Sequence, residues 1–338
     1  LRADAASGLT RMKKRWIALG AIVLAAGATA LFNAPFWGRP TGELTVLSHR
    51  GVHHDYHREN LDNETCTAAR IYPPEHAFFE NTLPSMEAAF ALGADMIEID
   101  IHPTTDGEFA VFHDWTLDCR TNGQGVTREQ TMEYLRTLDV GYGYTSDNGQ
   151  TYPLRGQGVG LMPTLREVLD AFPNERFLIN FKSNDPDEAD QLVAYLDAFS
   201  GANYERLAFY GARPAERLRD LRPELQITGR QRLMRCARDY MLTGWFGAMP
   251  DECRNSIVFV PSNYGWVAWG YPNLFLQRMR AANTDVFIVG PIRDGERPGI
   301  GGIDDAEAFE QVPADWRGGV VTDRIEIIGP LAAERAEP

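Results

Sequence analysis

The chain has 338 residues, of which 44% are hydrophobic, and it carries a formal net charge of −14. A chain of this length and apolar content can bury one large core, so we expect a single catalytic domain. The acidic charge argues against a general surface for nucleic acid or anionic lipid, because such surfaces need clustered lysines and arginines. A local basic pocket remains compatible with this charge.

The beginning of the chain carries a targeting signal. A charge-free, apolar stretch runs from Trp16 to Gly38, directly after basic residues at positions 11, 13, 14 and 15. Its most apolar run, Trp16–Phe32, lies in length between a spanning helix and the apolar region of a signal peptide, and Ala28-Thr29-Ala30 could serve as a cleavage site. A buried helix fits the basic flank poorly. Because basic residues stay in the cytoplasm, we expect an exported protein that is membrane-anchored or secreted.

These observations divide the chain into three parts. We predict a basic tail at 1–15, a signal peptide or transmembrane anchor at 16–38, and a catalytic domain at 39–338. The domain would face the periplasm or the extracellular side, and it would carry an insertion at about 52–79.

The chain contains an even number of cysteines, Cys66, Cys119, Cys236 and Cys253. In an exported chain this count predicts disulfides, although three connectivities are possible. We favour the pairs Cys66–Cys119 and Cys236–Cys253, because each falls in neighbouring loop regions of the predicted topology. Buried free thiols are the alternative.

From Leu44 onward, short apolar runs alternate with helical patterns. This alternation predicts a parallel sheet with helical crossovers, and the length suits a (β/α)8 TIM barrel. Nine candidate strands compete for eight places, and we expect Gln226–Thr228 or Ile257–Val260 to be an accessory strand. The other candidates are Leu44–Ser48, Met96–Ile101, Phe109–Phe112, Phe177–Phe181, Leu207–Tyr210, Val286–Val289 and Val320–Thr322.

Two predicted helices have clear start signals. Thr164 and Glu167 form a potential capping box at the start of Leu165–Ala171. Asp185-Pro186 begins the next helix, because proline lacks the N–H that would be unpaired in the first turn. Further helices are predicted at Pro84–Leu92, Pro214–Leu221, Leu233–Leu242, Leu274–Ala281 and Asp305–Val312.

Ionisable residues concentrate at the C-terminal ends of predicted strands, where parallel barrels build their active sites. Residues two apart on a strand share a face, so Glu98 and Asp100 both point inward, and the same parity pairs Asn180 with Lys182. Adjacent inward carboxylates repel each other, which indicates a divalent cation with oxygen ligands, Mg²⁺ or Ca²⁺. A plain ion pair between one carboxylate and Lys182 is the alternative.

Other strand-end residues predict acid–base chemistry on an anion. His49 and His113 could stand on opposite sides of this site, where one imidazole takes a proton and the other donates one. Arg50 and Lys182 supply the positive charge that a phosphodiester needs.

Together these residues resemble the glycerophosphodiester phosphodiesterase family over roughly residues 44–325. The motifs that carry the resemblance are His49-Arg50-Gly51, Glu80-Asn81-Thr82, Glu98-Ile99-Asp100, His113-Asp114, Lys182 and Thr322-Asp323. The resemblance implies metal-dependent hydrolysis of glycerophosphodiesters to glycerol 3-phosphate and an alcohol, begun by attack of a glycerol hydroxyl on phosphorus. It implies that the two histidines are the acid–base pair, that Glu98 and Asp100 bind the metal, and that Arg50 and Lys182 bind phosphate.

The sequence departs from the family's pattern in three places. Asn180 stands where relatives usually carry a third glutamate ligand, and its uncharged amide should weaken metal binding or change the preferred ion. The insertion at 52–79 is longer than usual and contains His53, His54, His57 and His76. We expect it to cover the mouth as an exposed loop with solvated histidines, with a second metal site as the alternative.

The third departure concerns recognition of the leaving group. Residues 285–290 occupy the place where relatives tend to carry a strand with a tryptophan. Nearby aromatic residues could form a wall for an apolar or choline-like group, or pack at the barrel rim. They are Tyr264, Trp266, Trp269 and Tyr271.

We therefore expect an exported phosphodiesterase of lipid metabolism that acts on a glycerophosphodiester or a lysophospholipid. No motif indicates an organic cofactor, a nucleic acid or a protein partner. The alternatives are a lysophospholipase D-type enzyme, a non-catalytic phosphodiester-binding relative that lost turnover through Asn180, and a lyase on the same scaffold that accumulates cyclic phosphate.

Overall fold

The computed structural model describes residues 2–39, 41–61, 65–292 and 301–336. Its strands form one sheet: β1 (Thr45–His49), β2 (Met96–Pro103), β3 (Phe109–Val111), β4 (Arg176–Phe181), β5 (Leu207–Tyr210), β6 (Gln226–Thr228), β7 (Ser256–Pro261), β8 (Thr284–Val289) and β9 (Gly319–Thr322).

Eight parallel strands follow the order β6-β5-β4-β2-β1-β9-β8-β7 and nearly close into a barrel. The two strands at the ends of this order meet at a seam, where Ile227 N donates to Asn255 O at 3.1 Å. The predicted (β/α)8 barrel is confirmed.

The accessory strand is β3, so the expectation that Gln226–Thr228 or Ile257–Val260 would leave the barrel is wrong. β3 pairs antiparallel with β2, and Pro103 stands opposite Phe109. Residues 104–108 alone separate the two strands, which suffices for a hairpin but not for the crossover that a parallel neighbour requires. Gln226–Thr228 and Ile257–Val260, of which we expected one to be accessory, both belong to the barrel, in β6 and β7.

Helices follow most of the barrel strands and cover the outside of the barrel. They are α1 (Arg2–Phe32), α2 (Leu83–Ala91), α3 (Met132–Leu135), α4 (Leu165–Ala171), α5 (Asp187–Asp197), α6 (Arg213–Leu221), α7 (Arg230–Thr243), α8 (Asn273–Arg280), α9 (Ala306–Glu310) and α10 (Ile325–Ala336). The predicted capping box is present at α4, where Glu167 N donates to Thr164 Oγ1 at 3.1 Å and Thr164 N donates to Glu167 Oε2 at 2.8 Å.

Alternation along the strands separates two cores and orients the carboxylates. On β2, Ile97 and Ile99 are buried among the side chains of the surrounding helices. Met96 belongs to the cluster that fills the barrel interior. Glu98 and Asp100 share the parity of Met96, so they point into the barrel above that interior cluster, as predicted.

A third core lies beneath the insertion at 52–79. It joins Ile71 and Phe79 of the insertion to Leu117 and Leu135 of the segment that follows β3. The disulfide Cys66–Cys119 fastens the same two segments, and Cys236 pairs with Cys253. Both predicted disulfides are confirmed, and no cysteine is free among the described residues.

The apolar part of α1, Lys14–Phe32, is 19 residues long, has a mean hydropathy of 1.7 and is not buried by the rest of the protein. By length and composition it could cross a membrane, and a signal sequence would satisfy the same criterion.

Candidate active site

The chain leaves β1 through a sharp bend that places His49 and Arg50 at the barrel mouth. Arg50 and Gly51 both have positive φ angles, of 61° and 80°. Glycine suits this conformation, and a Cβ on Gly51 would lie 2.4 Å from Ser85 Oγ and 3.1 Å from the Ser85 backbone. The bend therefore depends on a glycine directly after the arginine.

Two carboxylates flank the imidazole of His49. Its Nδ1 lies 2.6 Å from Asp323 Oδ1, and its Nε2 lies 3.6 Å from Glu98 Oε2. Burial opposes ionisation of Asp323, but the His49 imidazole outweighs it and holds the pKa of Asp323 well below its usual value. The charged carboxylate orients the ring so that Nε2 faces Glu98.

Glu98 is 2% exposed and has one unsatisfied oxygen. Its Oε1 accepts a hydrogen bond of 2.6 Å from the Tyr210 hydroxyl, whereas Oε2 has no hydrogen-bond partner among the described residues. Burial and the neighbouring Asp100 carboxylate raise the pKa of Glu98 to about 7. A buried oxygen without a partner, in an acidic pair, is suited to bind a cation.

Asp100 is the centre of a dense polar network. Its Oδ1 accepts from Asn180 Nδ2 at 2.8 Å and lies 3.4 Å from Lys182 Nζ. Its Oδ2 accepts from Asn81 Nδ2 at 3.0 Å and lies 3.1 Å from Arg50 Nε. Burial opposes ionisation, but Lys182 and Arg50 lower the pKa of Asp100 well below its usual value. Asp100 is therefore an anion around which the predicted phosphate-binding residues gather.

His113 is oriented by the residue that follows it. Its Nδ1 lies 2.7 Å from Asp114 Oδ1, and Asp114 Oδ2 accepts from Arg120 Nε at 3.0 Å. Burial and the positive charge of Arg50 lower the pKa of His113 to about 4. The ring is thus neutral at pH 7, and Nε2 is its proton-accepting atom because Nδ1 donates to the carboxylate.

A buried guanidinium links this histidine to the insertion. Arg120 is 3% exposed, and its NH1 lies 3.0 Å from Glu80 Oε2 while its NH2 donates to Thr67 Oγ1 at 2.6 Å. The other Glu80 oxygen accepts from Arg50 NH1 at 3.0 Å. Burial opposes ionisation of Glu80, but Arg120 and Arg50 outweigh it and lower the pKa of Glu80 to about 2.

The insertion is not an exposed loop with solvated histidines, and that expectation is wrong for two of its histidines. His53 and His54 are only 3% and 6% exposed, whereas His57 is exposed and His76 is half-buried. The ring of His54 stacks on His76, with centroids 4.3 Å apart. The disulfide and the third core draw this segment into the protein, which the composition of the loop does not reveal.

His53 joins a cluster with His49 and Asp323, which we call the histidine cluster. His53 Nε2 lies 3.8 Å from Asp323 Oδ1, and the three residues offer ligand atoms within 4.8 Å of one another. Arg58 NH2, also from the insertion, lies 2.8 Å from Asp323 Oδ2. This cluster is a second arrangement that could hold a metal ion.

The two donor sets suit different ions. Glu98, Asp100 and Asn180 offer oxygens, which suit Mg²⁺ or Ca²⁺, and the unpaired Oε2 of Glu98 provides a free ligand atom. The histidine cluster offers two imidazoles and one carboxylate, which suit a transition-metal ion. The residues at the mouth therefore fit a divalent cation.

Comparison with known proteins agrees with the family resemblance of the sequence motifs. The Glycerophosphoryl diester phosphodiesterase family matches residues 49–215, and the chain is 39% identical over 131 residues to a glycerophosphodiester phosphodiesterase of Bacillus subtilis. The chain belongs to this phosphodiesterase family. It is also 31% identical over 139 residues to the human lysophospholipase D GDPD1. Each match covers 37% of this chain and 42% of the relative, so the chain spans less than half the length of these relatives.

The phosphodiesterase fold extends beyond the matched segment. A crystal structure of a glycerophosphodiester phosphodiesterase from Agrobacterium tumefaciens superposes with a TM-score of 0.54 at 21% identity, over 85% of this chain and 99% of that one. This likeness concerns the fold alone.

All seven predicted site residues lie at one end of the barrel, but sequence reasoning missed the residues that hold them. Asp114 and Asp323 belong to the motifs, but we assigned them no role. The signals that could have identified them are that Asp114 directly follows His113 and that Asp323 directly follows the last strand. Tyr210 ends a predicted strand, so its inward parity could have been inferred. Arg120 lies in a loop without any pattern that marks it.

Proposed function

We propose that the chain hydrolyses glycerophosphodiesters to glycerol 3-phosphate and an alcohol at the barrel mouth. One observation carries the proposal: two oriented imidazoles stand at the same end of the barrel as the buried pair Glu98 and Asp100. His49 and His113 are each held through Nδ1, at 2.6 and 2.7 Å from an aspartate oxygen. Membership of the phosphodiesterase family supports the same reaction.

The two histidines are proposed to exchange protons with the substrate. His113, whose pKa is lowered to about 4, is neutral at pH 7 and takes the proton from a glycerol hydroxyl as that oxygen attacks phosphorus. The bond from phosphorus to the alcohol oxygen breaks, and His49 Nε2 gives the departing oxygen a proton. Water then opens the resulting cyclic phosphate, and the histidines act in reversed roles.

Arg50 and Lys182 are proposed to bind the phosphodiester anion. They approach different oxygens of Asp100, at 3.1 and 3.4 Å, so their positive charges lie on two sides of the acidic pair. A guanidinium can also donate two parallel hydrogen bonds to a phosphate, which fixes its orientation.

Glu98, Asp100 and Asn180 are the proposed ligands of Mg²⁺ or Ca²⁺. Such an ion would neutralise charge on the phosphate oxygens and position the diester. Asn180 donates its amide nitrogen to Asp100, which leaves its carbonyl oxygen available. We disfavour the histidine cluster as the primary site, because Arg58 places a fixed positive charge 2.8 Å from Asp323.

We also propose that the barrel is exported and anchored by its N-terminal helix. The division into a tail at 1–15, an anchor at 16–38 and a catalytic domain at 39–338 agrees with the exposed apolar helix at Lys14–Phe32. Two disulfides support an oxidising compartment.

A second candidate function is lysophospholipase D-type cleavage. The human relative named for that activity supports it, and a membrane helix would bring the barrel close to lipids. Both reactions break the same kind of phosphodiester bond, so only the substrate distinguishes them.

Phosphorus NMR of the products tests the proposal. Purified full-length protein is incubated with Mg²⁺ or Ca²⁺ and either glycerophosphocholine or lysophosphatidylcholine. We expect glycerol 3-phosphate from the first substrate, and loss of turnover in His49→Ala and His113→Ala. Folded protein that binds the substrate without product would instead indicate a non-catalytic relative, and persistent cyclic phosphate would indicate a lyase.

A further inference from the structure

The end of α1 is attached to the barrel by specific contacts. Asn33 Nδ2 donates to Trp245 O at 2.8 Å, and Arg278 NH1 donates to Asn33 Oδ1 at 3.0 Å. The same guanidinium lies 5.4 Å from the centroid of the Phe32 ring. The apolar helix therefore leaves the domain beside the end of α7 and beside α8.

Large apolar side chains surround this attachment and face outward. Each keeps between 43% and 67% of its surface exposed. We call them the apolar collar: Phe36, Trp37, Met241, Leu242, Trp245 and Phe246.

The collar is continuous with the end of the helix. Trp37 Nε1 donates to Leu31 O at 2.5 Å, and Trp245 Nε1 donates to Leu242 O at 3.0 Å. The ring of Phe246 lies 4.8 Å from that of Trp245. One apolar surface thus runs from the last turn of α1 onto the barrel.

We propose that the apolar collar lies in the interfacial layer of the membrane that α1 crosses. A window of 19 residues spans about 28 Å as a helix, which matches the hydrocarbon core of a bilayer. Tryptophan prefers the layer directly outside that core, where the ring is partly dehydrated and its N–H still finds a partner. In water, by contrast, such a patch would be costly. A lipid surface is therefore the partner that fits the collar.

The position of the collar orients the catalytic site. Helices of a (β/α)8 barrel run opposite to the strands, so the end of α7 lies at the end of the barrel where strands begin. Arg280 donates to the backbone oxygens of Thr41 and Arg317, which shortly precede β1 and β9. The mouth with His49 lies at the other end, about 16 Å away along the five-residue strand β1. The mouth then faces the aqueous phase.

This orientation also specifies the substrate class, in an inference that rests on the proposed function. A mouth directed away from its own bilayer takes water-soluble glycerophosphodiesters that are already deacylated. An upstream reaction that removes acyl chains from phospholipids must supply them.

Depth labelling of the full-length protein in liposomes tests the orientation independently of turnover. Because no described cysteine is free, Phe246→Cys and, as the matched control, Trp115→Cys each provide one thiol for an environment-sensitive fluorophore. Trp115 is 45% exposed and directly follows His113 and Asp114 at the mouth. We expect a blue shift, with quenching by spin-labelled acyl chains, at position 246, and no change at position 115.

Every other pattern of labelling overturns the proposal. If both probes report water, the collar does not contact lipid, and if position 115 is quenched, the mouth faces the bilayer. Activity provides a separate readout. Soluble glycerophosphocholine should be cleaved equally well by protein in liposomes and in detergent, whereas lysophosphatidylcholine within the same bilayer should not be cleaved. Absence of all turnover would refute the proposed function but not the orientation.

Discussion

Asp323 binds His49 on one side and Arg58 on the other, at 2.6 and 2.8 Å. The aspartate comes from the loop after the last barrel strand, the histidine from the end of the first, and the arginine from the insertion. Three distant parts of the chain thus determine the orientation of one imidazole.

Replacing the carboxylate should therefore impair catalysis more than folding. In Asp323→Asn, an amide N–H facing Nδ1 would favour the wrong tautomer of His49, and we expect kcat to fall about 100-fold or more. Steady-state kinetics and thermal unfolding measure the two effects. Asp315→Asn, which changes a carboxylate that contacts Asn273, is the control. A kcat within about twofold of wild type would mean that Asp323 does not act through His49.

Asn180 should limit metal affinity. In Asn180→Asp a third charge joins Glu98 and Asp100, and we expect binding of Mg²⁺ or Ca²⁺ to tighten roughly tenfold, because ligand charge tunes affinity. Without metal the variant should be less stable, since it loses the 2.8 Å hydrogen bond to Asp100 and gains repulsion. Calorimetric titration measures the affinity.

The same chemical change in Asn184→Asp is the matched control for the metal prediction. The side chain of Asn184 accepts from the backbone of Arg213 instead of contacting an acidic residue of the site. Equal tightening in both variants would refute the assignment of Asn180 as a ligand.

The Cys66–Cys119 disulfide should hold the insertion at 52–79 in place over the active site. It links residues separated by 53 positions, so its removal in Cys66→Ser/Cys119→Ser should cost about 4 kcal/mol by the chain-entropy estimate. We also expect KM to rise and the insertion to become sensitive to protease. Urea unfolding, kinetics and limited proteolysis measure these effects.

Removal of Cys236–Cys253, which spans 17 positions, gives the comparison. It should cost about 3 kcal/mol by the same estimate and leave KM unchanged, because the pair lies away from the mouth. If both double variants change KM equally, the first disulfide has no special effect on the site.

His54 should make the protein sensitive to acid. Burial and the neighbouring His76 lower its pKa to about 3. The unfolded chain binds this proton below about pH 6.5, whereas the folded protein does not, so stability is lost as pH falls from about 6.5 toward 3. The slope for one such group is about 1.4 kcal/mol per pH unit. Urea unfolding at pH 7 and pH 5 measures it.

The His54→Phe variant keeps a ring in this position but removes the titration. We expect its midpoint to fall less between pH 7 and pH 5 than that of the wild type. The exposed His57 provides the control His57→Phe, which should retain the full acid sensitivity. An unchanged slope in His54→Phe would contradict the prediction.

The barrel and the core of its site follow from periodic patterns. Alternation along β2 determines that Glu98 and Asp100 share a face, and the ends of parallel strands determine that His49 and Lys182 meet them. The error over β3 arose because an apolar run identifies a strand but not its direction. The connection at 104–108 is too short for a crossover to a parallel strand, and its length would have indicated that β3 is antiparallel to β2.

The residues that orient the site could not be predicted in the same way. Arg58 and His53 reach Asp323 only because the insertion folds back over the mouth, and Arg120 reaches Glu80 from a long loop. These segments have no regular period, so their side-chain directions depend on tertiary contacts. Burial of His53 and His54 likewise depends on the third core, which forms between segments that are distant in sequence.

Arg120 connects the insertion to the residues that orient the catalytic groups beneath it. One guanidinium bonds Thr67 in the insertion, the carboxylate that orients His113, and Glu80, which holds Arg50. In a chimaera with a short loop from a relative, Arg120 would lose its hydrogen bond to Thr67. Water would then reach its ion pairs with Asp114 and Glu80. The insertion that covers the mouth and the catalytic residues beneath it therefore depend on each other, and this insertion cannot be exchanged as an independent module.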